Sequence, residues 1–196
     1  MTQILKTLTD ETRVPVPGPA FTPAGATLPL VAMPSGELLT VNERELPRIE
    51  NAFGPGVHFK PLRIDVEAGI WVVLAIFSPG AVVPLHYHTG SAETYTLAGS
   101  WHYLEHPDQM QTAGSYLYEP GGSVHTFVCP DANTEDTVLL VRVEGANINF
   151  GEDGQYHSIL DAALIQFLTP QMAEAQGLGT IDYIVGGTAR VSGRRT

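Results

Sequence analysis

The sequence predicts an all-β protein, built as an antiparallel β-sandwich or small barrel. Short apolar runs follow one another at close spacing along the chain, and Gly, Pro or Asp bounds nearly all of them. The 196 residues include 20 glycines and 15 prolines, which is many for a helical protein. Because these residues end strands and form turns, their recurrence is typical of sandwiches and barrels. A chain of this length is expected to form one domain.

The apolar runs locate the individual strands and divide the chain into three parts. The predicted strands span residues 38–41, 57–66, 70–77, 82–88, 92–98, 101–105, 115–119, 125–129 and 137–143. We assign residues 1–36 to an N-terminal arm, 37–150 to the barrel, and 151–196 to a helical extension and tail.

The N-terminal arm is expected to be extended because prolines recur from Pro15 to Pro34. Each proline excludes helix and favours an extended backbone. Such an arm can lie over the barrel or over a neighbouring subunit, and a disordered leader is the alternative. Since exposed strand edges need covering, we expect a homodimer or homotetramer.

Helical periodicity is found only near the C-terminus, from Ser158 onward. Ser158 and Asp161 are spaced as in a capping box, which predicts a helix start there. Pro170, preceded by a threonine, fits the first turn of a second short helix, and Gly177 is suited to end it. Two short helices are therefore expected outside the barrel.

Charge and composition exclude several functions. The formal net charge is −11, with 10 basic and 21 acidic residues, so the basic face that nucleic acid requires is missing. Cys129 is the only cysteine, which rules out an intramolecular disulfide. The longest apolar run, residues 70–77, is too short to span a bilayer. We expect a cytoplasmic protein without membrane contact.

Three histidines are the candidate metal ligands. In an extended strand alternate side chains share a face, so His86 and His88 point to the same side of a sheet. A third histidine, His125, follows a turn that Pro120 and two glycines predict. Imidazole nitrogens in this number and order predict a site for one divalent metal.

Two sequence motifs contain these histidines, and their residue spacing resembles that of a known family. The first spacing comprises Gly80, His86, His88 and Gly99, and the second comprises Gly114, Pro120, Gly122 and His125. They resemble the paired motifs of the cupin superfamily. That resemblance implies a double-stranded β-helix barrel, or jelly roll, whose interior binds one divalent metal.

The acid of the cupin motif is missing from its usual position. The family places a metal-ligating Glu seven residues before the closing glycine, and here that position holds Ala92 rather than Glu93. Strand alternation then points Glu93 away from the metal. A bulge at residues 89–91 is the alternative, and it would bring Glu93 into the site. Three neutral histidines leave the metal charge uncompensated, which favours an anionic chelating substrate.

The residues between the motifs narrow the resemblance. Residues 54–150 are similar to the 2,4'-dihydroxyacetophenone dioxygenase group of cupins, and more distantly to acetylacetone dioxygenase. This implies a mononuclear Fe(II) enzyme that uses dioxygen to cleave a carbon–carbon bond next to a carbonyl in a small ketone. One Fe(II) per chain is expected, held by His86, His88 and His125, although imidazoles also suit zinc and nickel.

Further residues are candidates for the surroundings of the metal. Glu105 could be an inward acid that orients a histidine or the substrate, or else a solvated strand residue. Tyr103 and Tyr118, with Tyr116, could line an aromatic-sized pocket, or else pack ordinarily. Cys129 shares a strand face with the third histidine, and we expect it to be a buried packing residue.

Two other classes of function remain open at this point. One is a non-redox metal cupin, an isomerase or hydrolase, in which zinc or nickel polarises a carbonyl. The other is a non-catalytic cupin that senses a metal or small molecule, as the cupin half of some anti-sigma factors does.

Overall fold

A computed structural model describes residues 16–33 and 38–187 of the chain. These residues fall into two compact units, one of which contains the first two strands and the other residues 40–187. The prediction of an all-β jelly roll is confirmed. The predicted division into arm, barrel and extension stays a prediction, as does the oligomeric state.

The first unit contains a β-hairpin where the extended arm was predicted. Strands β1 (Gly18–Phe21) and β2 (Thr27–Ala32) pair antiparallel. Gly25, at φ 87°, closes the turn between them, in a conformation that glycine adopts without strain. Residues 1–15 and 34–36 of the predicted arm lie outside the described residues.

The second unit consists of two six-stranded sheets, one α-helix and a short 3₁₀ helix at Glu43–Glu45. The first sheet has the order β13 (Tyr156–Leu160), β12 (Asn147–Phe150), β5 (Val82–His88), β10 (Val124–Val128), β7 (Ser100–Tyr103), β8 (His106–Thr112). The second sheet has the order β14 (Ile184–Gly186), β3 (Val57–Asp65), β4 (Ile70–Phe77), β11 (Thr137–Glu144), β6 (Ala92–Ala98), β9 (Tyr116–Glu119). All pairings in the two sheets are antiparallel except that of β14 with β3.

The two sheets face each other across an apolar core. One core cluster joins Phe127 and Trp101 of the first sheet to Phe77 and Leu139 of the second. A second cluster lies beneath the helix and contains Ile165. Alternate side chains of each strand point into the space between the sheets. Most of these side chains form the apolar core, and some of them are polar.

The strand predictions agree closely with the structure between residues 57 and 144, except that β8 is missing from them, and they fail at the ends. The predicted strand at residues 38–41 is wrong, because this segment is mostly exposed and pairs with no strand among the described residues. Within residues 40–187, strands β8, β12, β13 and β14 were not predicted. Their residues are polar or mixed, so they lack the apolar pattern that marks the other strands. Pairing with another strand defines each of them: β8 pairs with β7, β12 and β13 pair with each other, and β14 pairs with β3.

Within residues 151–187, the described part of the C-terminal region, the chain forms one helix, α1 (Ala162–Ala175), so the prediction of two helices over these residues is wrong. Asp161 caps its N-terminus by accepting the Leu164 N–H at 2.8 Å, whereas Ser158 belongs to strand β13. Pro170 lies inside the helix, where it cannot donate the backbone hydrogen bond that another residue would make. The packing of the buried helix face, which includes Thr169, offsets this loss. Within residues 16–33 and 38–187, no helix is long and apolar enough to cross a membrane.

Candidate metal centre

The first sheet brings the three predicted ligands to one face. On β5, His86 and His88 are buried whereas Tyr87 between them is exposed, as alternation requires. His125 on β10 lies directly opposite His86 in the antiparallel register. Directly opposed residues point to the same side of a sheet, so all three imidazoles point between the sheets.

The imidazoles converge closely enough to hold one ion. Their ligand atoms all lie within 4.8 Å of one another. The Nε2 atoms of His88 and His125 are 3.1 Å apart. Two ligands that each lie about 2.1 Å from a shared ion show a separation of this size. His86 donates its Nδ1–H to the Pro84 carbonyl at 2.8 Å, which leaves its Nε2 free to coordinate.

Burial keeps the three histidines neutral. Desolvation lowers the pKa of His86, and it lowers the pKa of His88 to about 4 and of His125 to about 3. The His86 imidazole further lowers the pKa of His88, and His86 and His88 further lower that of His125. Neutral imidazoles present lone pairs, which is the form that binds metals. The donor set therefore fits a divalent metal ion.

A fourth residue, Glu119, lies against this cluster and was not predicted. It ends strand β9 of the second sheet and is 6% exposed. Its Oε2 lies 3.1 Å from His88 Nε2 and 3.4 Å from His125 Nε2. Its Oε1 accepts a hydrogen bond from the Tyr103 hydroxyl. Burial raises the pKa of the Glu119 carboxyl to about 8.

The position at which the cupin motif has its metal-ligating acid faces inward, as the sequence predicts, and it holds an alanine. Ala92 is buried, whereas Glu93 lies on the outer face of the second sheet. Glu93 accepts hydrogen bonds from Arg142 and from the Tyr116 hydroxyl, both at 3.2 Å. The register of β6 against β9 is continuous from Ala92 to Tyr95, so no bulge turns Glu93 inward.

Of the predicted surrounding residues, Tyr103 lies at the site, whereas Tyr116, Tyr118 and Glu105 are exposed and do not line the cavity. The Tyr103 ring stacks on His125, with centroids 3.8 Å apart. Tyr118 is 58% exposed, because the pleat of β9 turns Leu117 and Glu119 inward instead. The prediction that Tyr118 lines the pocket is therefore wrong.

Glu105 is also misplaced by the sequence prediction. Its side chain is exposed, and its carboxylate accepts the Thr126 N–H at 2.9 Å. It follows the end of strand β7, where the chain turns away from the interior. Glu105 is thus not an inward acid, although its charge does raise the pKa of His86 slightly against the effect of burial. Cys129 is buried in the core, as expected.

An apolar cavity of about 120 Å³ adjoins the metal-facing side of the histidines. Its wall includes His86, His88, Tyr103 and Glu119, and the rest is largely apolar, with Phe127 among the lining side chains. For comparison, a dry cavity of about 150 Å³ binds benzene. The space is therefore suited to a short alkyl group or a single small ring.

Two buried polar atoms at this cavity have no hydrogen-bond partner among the described residues. They are Nδ1 of His88 and Oδ1 of Asn147. Asn147 on β12 is the register partner of His88 on β5, and it also lines the cavity. Unsatisfied buried polar atoms are rare in folded proteins and are costly, so they mark a place where function rather than stability determines the residue.

We expect the Asn147→Leu variant of the metal-free protein to be more stable than wild type. Removing an unsatisfied buried acceptor recovers a desolvation cost of about 1–3 kcal/mol. Urea unfolding monitored by tryptophan fluorescence measures the difference.

The matched control is Asn149→Leu, on the same strand. The Asn149 amide donates to Ser158 Oγ at 3.0 Å, so its loss should reduce stability by about 0.5–1.5 kcal/mol. If Asn147→Leu destabilises the protein as Asn149→Leu does, Oδ1 of Asn147 has a partner in solution and the reasoning is wrong.

The two facing sheets and the buried histidine cluster between them define a cupin, a jelly-roll protein of the kind that binds a metal inside its barrel. The chain belongs to the family of ChrR cupin-like domains, whose family model matches residues 39–147. A search of curated protein sequences found no match.

Several solved structures share the fold. A protein of unknown function with a cupin-like fold from Ralstonia eutropha is 37% identical, with a TM-score of 0.76, over 81% of this chain and 98% of that chain. An RmlC-like cupin from the same organism is 25% identical, with a TM-score of 0.64, over 74% and 96%. An acetylacetone dioxygenase from Acinetobacter johnsonii is 17% identical, with a TM-score of 0.59, over 70% and 93%.

Proposed function

We propose that this protein is a mononuclear, Fe(II)-dependent dioxygenase that cleaves the carbon–carbon bond next to a carbonyl in a small chelating ketone. One observation carries the proposal. Three neutral, buried histidine donors converge on the wall of an apolar cavity that is sized for one small organic group. The motif resemblance of residues 54–150 to the hydroxyketone-cleaving cupins supports it.

The proposed reaction balances without a further reactant. An α-hydroxyketone and one dioxygen give two carboxylic acids, because the bond between the carbonyl and hydroxyl carbons breaks and each carbon gains one oxygen atom. Dioxygen is reduced by four electrons, all of which the substrate supplies. Bound at the three histidines, Fe(II) would supply Lewis acidity toward the two substrate oxygens and the redox chemistry that dioxygen requires.

The protein's own residues fix where the substrate lies. Apolar side chains such as Phe127 and Trp101 form the part of the cavity that receives the organic group, and they exclude water from it. The polar wall, made by the histidines, Tyr103 and Glu119, receives the oxygens. This division orients the scissile bond toward the histidine face, which is how positioning contributes to rate.

The test is oxygen uptake by protein reconstituted with Fe(II) without oxygen present. A panel of aryl and alkyl α-hydroxyketones and β-diketones is then added with ¹⁸O₂. We expect at least one ketone to be consumed with one equivalent of dioxygen, and each cleavage product to carry one ¹⁸O atom. Protein loaded with Zn(II) is the control, and it should consume no dioxygen.

If the Fe(II) protein consumes no dioxygen with any ketone in the panel, the dioxygenase proposal fails. Metal binding without oxygen uptake would then favour the non-redox isomerase or hydrolase, or the sensing cupin. A His88→Ala variant separates catalysis at the metal from a sensing role that does not need the metal, because loss of the metal abolishes the first and spares the second.

A further inference from the structure

The acid that is missing from the cupin motif has a counterpart on the neighbouring strand. Ala92 of β6 and Glu119 of β9 are direct partners in the antiparallel register. Paired residues point to the same side of the sheet, with Cβ atoms about 4.5–5.5 Å apart. Both residues are buried. A carboxylate at position 119 therefore reaches into the same space that one at position 92 would occupy.

The Glu119 carboxylate meets two of the histidines at distances typical of ligands that share an ion. Its Oε2 lies 3.1 Å from His88 Nε2 and 3.4 Å from His125 Nε2, while these two nitrogens are 3.1 Å apart. Three acceptor-type atoms converge here from two facing sheets. Such a group is stabilised when a cation lies between its members.

The other carboxylate oxygen of Glu119, Oε1, accepts a hydrogen bond from a neighbouring tyrosine. The Tyr103 hydroxyl donates to Oε1 of Glu119, and the Tyr103 ring stacks on His125. Metal-ligating carboxylates are usually hydrogen-bonded in this way, which fixes the oxygen that faces the ion. Oε2 has no such donor from Tyr103 and is directed at the histidines.

We propose that Glu119 is the fourth protein ligand of the metal centre, supplied by the second sheet in place of the acid at position 92. This inference rests on the metal site of the proposed function but not on its reaction with dioxygen. The ligand set becomes three histidines from one sheet and one carboxylate from the other, so the metal joins the two sheets of the barrel. One unit of positive charge then remains for an anionic substrate.

The experiment titrates the metal-free protein with Co(II), as the metal alone, and records affinity and the visible absorption of the bound ion. Glu119→Gln keeps the size and shape of the side chain but replaces the charged ligand. We expect it to weaken Co(II) binding by more than about 100-fold, beyond the 10–100-fold that loss of an outer-shell partner costs. Its Co(II) absorption bands should also shift, because the donor set changes.

Glu105→Gln is the matched control, since Glu105 is an exposed acid near the same histidines. It should keep the wild-type affinity and spectrum. Wild-type affinity and an unchanged spectrum in Glu119→Gln would overturn the inference while leaving the three-histidine site intact. A wild-type protein that binds no Co(II) would instead contradict the metal site as a whole.

A second pair of variants tests the shared position. Glu119→Ala should lose Co(II) affinity, and the double variant Ala92→Glu, Glu119→Ala should regain most of it by returning the acid to β6. Circular dichroism verifies that both variants are folded. A folded double variant that binds no better than Glu119→Ala would contradict the equivalence of the two positions.

Discussion

The His88→Ala variant is expected to lose high-affinity binding of divalent metal. His88 is central to the cluster, since its Nε2 lies 3.1 Å from both His125 Nε2 and the Glu119 carboxylate. Removing it takes away a direct ligand, so affinity should fall by more than the roughly 10–100-fold typical of outer-shell changes. Isothermal titration of the metal-free protein with Zn(II) or Co(II) measures this.

Thermal unfolding provides a second readout of the same variant. Metal at about 100 times its Kd stabilises a protein that binds it only when folded by about 2.7 kcal/mol. Wild type should therefore melt at a higher temperature with metal, and His88→Ala should not. His157→Ala is the control, because His157 is exposed and its ring bonds to the neighbouring Ser158 hydroxyl, away from the histidine cluster. Metal stabilisation that persists in His88→Ala would show that the ion binds elsewhere.

The Phe127→Ala variant is expected to lose about 3–5 kcal/mol of stability, the usual cost of deleting a buried phenylalanine ring. Phe127 is 5% exposed, and its ring centroid lies 4.2 Å from that of Phe77 and 5.0 Å from that of Trp101. It therefore joins the two sheets, two residues after His125 on the same strand. Its loss leaves a void where both sheets meet.

Urea unfolding of the metal-free variant measures the change. Phe167→Ala is a matched control, because Phe167 on α1 is 66% exposed and its truncation should change stability by no more than about 0.5 kcal/mol. A loss below about 1 kcal/mol in Phe127→Ala would mean that the core relaxes around the void, and the packing account would be wrong.

The central strands and three site residues could be predicted from the sequence because their signals are local. Strand β5 contains both histidines in an alternating pattern, and β4 is a continuous apolar run between turns. Each of these properties is visible within a few residues. Ala92 was identified through the resemblance to the cupin motif, which places its inward acid seven residues before the closing glycine, here Gly99.

The remaining site residues depend on pairings between distant segments. Glu119 lies beside Ala92 only because β6 pairs with β9 in one particular register, and a shift of one residue would turn Tyr118 inward instead. Strand β9 has four residues, three of them apolar or aromatic, so its pattern does not show which face is buried. That ambiguity explains why Tyr118 was expected to line the pocket and why Glu119 was not considered.

The C-terminal error has a similar cause. Helical periodicity begins near Ser158, but residues 156–160 form strand β13 because β12 offers them a partner. Pro170 is a reliable helix breaker in isolation, whereas here the helix continues through it with Thr169 buried on the inner stripe. In both places tertiary packing outweighs local preference.

Anomalous diffraction from crystals of the protein loaded with Fe(II), Co(II) or Zn(II) tests the central claim most directly. The account predicts a single anomalous peak between the sheets, about 2.1 Å from one nitrogen each of His86, His88 and His125. The same map reads the distance to the Glu119 carboxylate. A fully loaded crystal with no peak at this position, or with a peak bound by other residues, would contradict the account.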